Sequence, residues 1–112
     1  MVKPKVFIDG YSGATGLRIR EWLVGRDDVD FLTIPEAERR DSSARREYLN
    51  EADLAILCLP DDVARETVLE LVNNKTRVLD ASSAHRVTEG WVYGLPELHK
   101  EVRESIRVAG MV

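Results

Sequence analysis

Four short apolar runs recur along the chain: "KVFID" at Lys5–Asp9, "VDFLTI" at Val29–Ile34, "DLAILCL" at Asp53–Leu59 and "RVLDA" at Arg77–Ala81. Runs this short and nearly continuous predict strands covered on both faces. Between them the pattern changes to a helical period. Ala14–Val24 places Ile19, Trp22 and Leu23 on one side, and Gly25 ends that helix. Asp41 or Ser42 caps a second helix through Leu49. Pro60 closes the third strand, and Asp61 offers an N-cap to a helix through Val72 with an inner stripe of Ala64, Val68, Leu71 and Val72. A short Trp91–Tyr93 segment follows, then a helix from Pro96 to about Ser105, then a fifth strand opening at Ile106–Ala109. Such alternation predicts an α/β chain, a Rossmann-type three-layer sandwich with a mostly parallel sheet and helices on both faces. No repeat or linker divides it, so residues 1–112 are expected to form one domain.

In this architecture the helix-opening loops gather at the carboxyl ends of the strands. The first of them, "GYSGATG", runs from Gly10 to Gly16 and carries glycines at 10, 13 and 16, a relative of the dinucleotide fingerprint with one residue moved. The first glycine permits a tight turn, the middle one lets backbone N–H groups approach a pyrophosphate, and the last allows close helix–strand packing. The helix N-terminus adds positive potential. Tyr11, Ser12, Ala14 and Thr15 complete the cradle, with hydroxyl donors on Ser12 and Thr15. Leu17 stands where a P-loop needs lysine, which excludes that motif. After the second strand, Glu36 suits a free ribose 2′-hydroxyl whereas Arg39 and Arg40 suit a 2′-phosphate, so the residues alone leave NAD and NADP both open.

The charge balance fits a small ligand and not a polymer. A net charge of -4 gives no basic excess for nucleic acid or an anionic membrane. Cys58 is the only cysteine, which excludes an internal disulfide. It lies in an apolar run with no base beside it and is expected to be a buried structural thiol. The N-terminus turns polar too early for a signal peptide, and a cytoplasmic setting is expected. His85 follows a strand end, either facing the cleft or paired with backbone. His99 falls in a polar helix and should face solvent. Neither has a partner at metal-ligand spacing, so no metal is expected. Trp22 and Trp91 are expected in the core or a cleft wall.

Three further phrases, "LAILCLPDD", "VLDASSAHR" and "WVYGLPEL", stand in order after "GYSGATG" and "IPEAERRD". Together the five resemble the opening domain of the N-acetyl-γ-glutamyl-phosphate reductases in their shorter form, with the aspartate-semialdehyde and glyceraldehyde-phosphate dehydrogenases as wider relatives. The resemblance runs from about Lys5 to Ala109. It implies an NADP(H)-binding domain from an oxidoreductase of arginine biosynthesis, in which a cysteine thiolate attacks an acyl phosphate and NADPH reduces the resulting thioester to a semialdehyde. It further implies that Gly10–Gly16 hold the pyrophosphate and Arg39 or Arg40 the 2′-phosphate. Cys58, Leu59 and Pro60 would line the nicotinamide side. Ser82, Ser83, His85 and Arg86 would lie near cofactor and substrate phosphate.

The family's nucleophile sits in an Asn-Pro-Gly-Cys-Tyr motif after the last strand, and here "GMV" follows Val108-Ala109. A catalytic and dimerisation domain is likewise expected to be missing, so the 112-residue chain should bind cofactor without turning over. Two other readings stand beside this one: an isolated or engineered fold module with little cofactor binding, and a stand-alone ligand sensor. Apolar surface left open beside the last strand is expected to favour a homo-oligomer, with edge-strand pairing as a second route.

Overall fold

A computed structural model describes residues 3–10, 14–38, 41–73, 75–85, 88–94 and 101–112. The elements are β1 (Lys5–Asp9), α1 (Ala14–Leu23), β2 (Asp30–Leu32), a short 3-10 turn (Glu36–Glu38), α2 (Ser42–Glu51), β3 (Leu54–Leu57), α3 (Asp61–Leu69), β4 (Arg77–Asp80) and α4 (Val102–Val108). All three strand pairings are parallel, in the order β2-β1-β3-β4. The chain therefore steps from β1 to one side, then crosses back to continue on the other. Asp9 pairs with Leu57 and Leu57 with Asp80, so these residues form one row across the carboxyl edge.

Side-chain alternation along the strands builds two apolar layers. Val6, Ile8 and Ile56 point to one face, where Ile19 and Leu23 of α1 cover them. Phe7, Ala55, Leu57 and Val78 point to the other, against Leu49 and Tyr48 of α2 and Val68 of α3. The sheet is thus the middle of three layers. Phe7 and Leu57 are 1% and 0% exposed, and Phe7 stacks on Tyr48 at 5.7 Å. Ala55 of β3 and Ala64 of α3 are both fully buried.

Several expectations are corrected in detail. Trp22 is 70% exposed: Gly16, Ile19 and Leu23 define the inner line of α1, and Trp22 lies off its flank beneath the Arg18 guanidinium. Val72 is 83% exposed because α3 ends at Leu69. Beyond it Asn50 of α2 takes over the backbone, donating to the Glu70 carbonyl and accepting from the Val72 N–H. Asp41 does cap α2, accepting from the Ser43 N–H at 2.9 Å. Asp61 is the first residue of α3 and not its cap; Pro60 holds the cap position.

The expected strand from Ile106 is helix through Val108. The sheet is extended three residues later, where Val78 donates to the Gly110 carbonyl, Asp80 to that of Val112, and Val112 to that of Val78. Arg77 causes the offset. Its guanidinium donates to the carbonyls of Ile106, Arg107 and Ala109, which stabilises the end of α4 and delays the extended segment. No helix among the described residues is long and apolar enough to cross a membrane.

The two layers predict a sharp contrast in mutational cost. Phe7→Ala should destabilise the fold by about 3–5 kcal/mol, whereas Leu69→Ala, at a site 83% exposed, should stay within about 0.5 kcal/mol. Urea unfolding followed by circular dichroism measures both.

Candidate functional site

The reversal of strand order lies between β1 and β3, and in open α/β sheets ligands bind outside the carboxyl ends of the strands at such a point. Here β1 ends at Asp9 and the chain turns at Gly10, with φ at +85°. A Cβ on residue 10 would stand 2.5 Å from the Cys58 carbonyl oxygen and 2.9 Å from Leu59 Cδ2. Glycine is required twice over, by the backbone angle and by the neighbouring strand. The Cys58 N–H donates to the Asp9 carbonyl at 2.9 Å, so the turn after β1 and the exit of β3 are one unit.

Of the expected cradle, Gly10 opens the turn, Ala14 and Thr15 start α1, and Gly16 is buried in its first turns. Tyr11, Ser12 and Gly13 lie outside the described residues, as do Arg39, Arg40, Arg86 and His99. The first turn of α1 contains no acidic side chain, whereas α2 is capped by Asp41 and α3 opens with Asp61 and Asp62. A helix N-terminus attracts anions unless a carboxylate already occupies it. The first turn of α1 carries no carboxylate that would oppose an anion there.

Cys58, Leu59 and Pro60 come together with Gly10 as the exit of β3, and the Pro60 carbonyl accepts from Ala64 at the start of α3. Cys58 is half-buried. Burial first, then the carboxylates of Asp80 and Asp9, push its thiol pKa up. That environment suits a structural thiol and opposes a thiolate nucleophile.

Ser82, Ser83 and His85 form a second group after β4. The Asp80 carboxylate accepts from the Ser82 N–H at 2.8 Å and pairs with His85 Nδ1 at 2.7 Å. His85 is thus held by a carboxylate and not by backbone, and its ring stacks on Trp91 at 4.0 Å with 9° between the planes. Trp91 is a cleft wall, as expected. The Asp61 carboxylate accepts from both the N–H and the hydroxyl of Ser83, which holds the Asp61 pKa down. Arg65 reaches the Ala84 carbonyl at 3.4 Å, so α3 binds the loop after β4 at two points. Beside it opens a cavity of about 270 Å³ lined by Leu79, Asp80, Ser82, His85, Trp91 and Ile106, among others.

Two residues that the motif reading did not select organise this edge. Asp9 and Asp80 terminate β1 and β4 and flank Leu57 in the same row. Asp9 accepts from Arg45 of α2 at 3.1 Å and 2.7 Å. The signal was present in the sequence, because an acidic residue closes an otherwise apolar run immediately before a loop in both places.

The raised thiol pKa has a direct readout. Thiolate is the reactive form, so a raised pKa means less of it at neutral pH than in the unfolded chain. The midpoint of the Cys58 alkylation rate against pH, measured with iodoacetamide, should lie above that of the urea-unfolded chain.

Comparison with known proteins agrees with this geometry. The family model for the semialdehyde dehydrogenase, NAD binding domain, matches residues 36–106. An N-acetyl-gamma-glutamyl-phosphate reductase of Mesorhizobium japonicum is 52% identical over 111 residues, 99% of this chain and 36% of that protein. N-acetyl-gamma-glutamyl-phosphate reductase 2 of Pseudomonas putida is 58% identical over 106 residues, 95% of this chain and 34% of that protein. The Brucella ovis reductase is 54% identical over 112 residues, 99% of this chain and 36% of that protein. These relatives bear out the resemblance carried by the five motifs, and the chain spans about a third of their length. With most of its residues matched by the family model and its strands wound around a glycine turn, the chain belongs to the semialdehyde dehydrogenase NAD-binding domain family.

Proposed function

We propose that this chain is the dinucleotide-binding domain of an N-acetyl-γ-glutamyl-phosphate reductase and that its cofactor is NADP(H). The observation that carries the reading is Gly10, whose positive φ and absent Cβ let the β1 turn close against the Cys58 carbonyl at the strand-order reversal. Its local fit supports a pyrophosphate at 10–16, because the first turn of α1 carries no acidic residue. Arg39 and Arg40 would take the 2′-phosphate by charge-assisted hydrogen bonds, which favour a planar fork on phosphate.

The cofactor supplies a hydride to a thioester in the parent reaction. The contribution of this chain is to bind and orient it. Cys58 is its single thiol, and burial and two carboxylates disfavour its thiolate. On this reading the nucleophile would lie in the roughly two thirds of the relatives' length that this chain does not span, and binding without turnover is expected.

Calorimetric titration with NADPH and then NADH tests the reading. Saturable binding with NADPH the tighter is expected, together with no reduction of N-acetyl-γ-glutamyl phosphate. Replacing Arg39 and Arg40 together by serine should weaken NADPH by about ten- to a hundredfold and leave NADH within about twofold. Binding of neither nucleotide would overturn the proposal, and equal loss for both nucleotides would reassign the two arginines.

A further inference from the structure

We propose that Arg45 is a positioning residue for the dinucleotide site: it holds the Asp9 carboxylate on the α2–α3 side and cancels a negative charge that adjoins the glycine turn. The inference rests on the cofactor reading above and concerns a residue outside the glycine loop.

Asp9 is the last residue of β1, immediately before Gly10, and is 5% exposed. Its register partner is Leu57, and the three residues before it, Val6, Phe7 and Ile8, are apolar. A carboxylate at this point is a liability twice over. It is withdrawn from water, and it adds negative charge at the strand end where an anionic ligand is expected. Arg45 answers both. Nε and Nη2 donate to the two carboxylate oxygens at 3.1 Å and 2.7 Å, the fork geometry that a guanidinium makes with a carboxylate.

The arginine is itself fixed. Its Nη2 also reaches Thr67 Oγ1 of α3 at 3.3 Å, and that hydroxyl donates to the Val63 carbonyl at 2.8 Å. Glu70 adds further attraction, and Arg46 and Glu66 border the same small cavity. The hydrogen bond that Arg45 donates to Asp9 is the largest influence that raises the Arg45 pKa, so the guanidinium stays charged. The fork therefore ties the end of β1 to two helices on the face opposite α1, and the turn at Gly10 starts from a fixed carboxylate of compensated charge. Stability alone is a poor reason for the pair, since buried ion pairs are often replaceable by apolar residues without loss.

Charge and structure are separated by titrating NADPH into four proteins: wild type, Arg45→Met, Arg45→Lys and the double variant Asp9→Asn/Arg45→Met. Arg45→Met leaves the carboxylate uncompensated, and its NADPH affinity should fall about tenfold, the size expected of one unit charge acting through partly solvated protein. The ratio of wild-type to Arg45→Met affinity should shrink towards one between about 0.01 M and about 1 M salt, as the screening length drops from roughly 30 Å to 3 Å. Arg45→Lys keeps the charge and should stay within about threefold of wild type. The double variant removes the charge and should recover most of the loss, even if Arg45→Met alone is too unstable to assay.

A salt-independent loss, or a double variant that binds no better than Arg45→Met, would overturn the inference and leave the pair a purely structural tie. Wild-type protein that binds no NADPH would instead remove the cofactor reading beneath it, an outcome visible before any variant is made.

Discussion

At their carboxyl ends β1 and β3 come so close that the Cys58 carbonyl occupies the space of a side chain on residue 10. Much of the arrangement follows from that approach. Only glycine tolerates both the contact and the positive φ, so the chain leaves β1 by a turn that needs no room. β2 and β3 can then flank β1 directly, and the order of the strands reverses at this point. The N-terminus of α1 is delivered beside the reversal, where a crevice in an open parallel sheet lies. The packing requirement at Gly10 and the position of the proposed binding site follow from the same contact.

The other loops at this edge are held by side chains and not by close backbone packing. Asp61 takes both donors of Ser83, Asp80 takes the Ser82 N–H and His85, and Arg45 takes Asp9. Asp61 and Asp9 engage partners from a different segment, whereas Asp80 holds the loop that follows its own strand. These polar contacts add to the apolar clusters around Phe7 and Ile56, which reach the edge at Leu57 and Leu59. Such contacts act over short distances and prescribe geometry, which apolar burial alone does not.

How much of this was legible beforehand depended on whether the cause was local. β1, β3, β4 and the first three helices could be read because continuous apolar runs and caps such as Asp41 are properties of neighbouring residues. Gly10 was legible for the same reason, since a glycine between a buried strand and a helix has few other uses. The errors arose where a distant residue decided. Asn50 stops α3 before Val72, and Arg77 carries α4 to Val108 and moves the sheet extension to 110–112. The periodicity that put Trp22 inside could not register how narrow the inner line of α1 is once Gly16, Ile19 and Leu23 have filled it. His85, expected either in the cleft or on backbone, lines the cavity with its Nδ1 on Asp80 and its ring on Trp91, both of them nearby in the chain.

The proposed anionic cofactor poses an acidic chain an electrostatic problem that has to be solved locally. With a net charge of -4, long-range attraction offers nothing, and screening limits it in any case to about 8–10 Å at ordinary salt. The arrangement of carboxylates supplies the local answer. Asp41, Asp61 and Asp62 stand at the starts of α2 and α3 and satisfy or oppose the positive ends of those helices. Asp9 and Asp80 lie closer to the crevice, and each is matched by a side chain capable of positive charge, Arg45 and His85. The first turn of α1, by contrast, carries no acidic residue, and that helix end contributes a partial positive charge of fixed direction. On the proposed cofactor reading, the distribution of charge along this edge, and not its sum over the chain, would select where a phosphate is accepted.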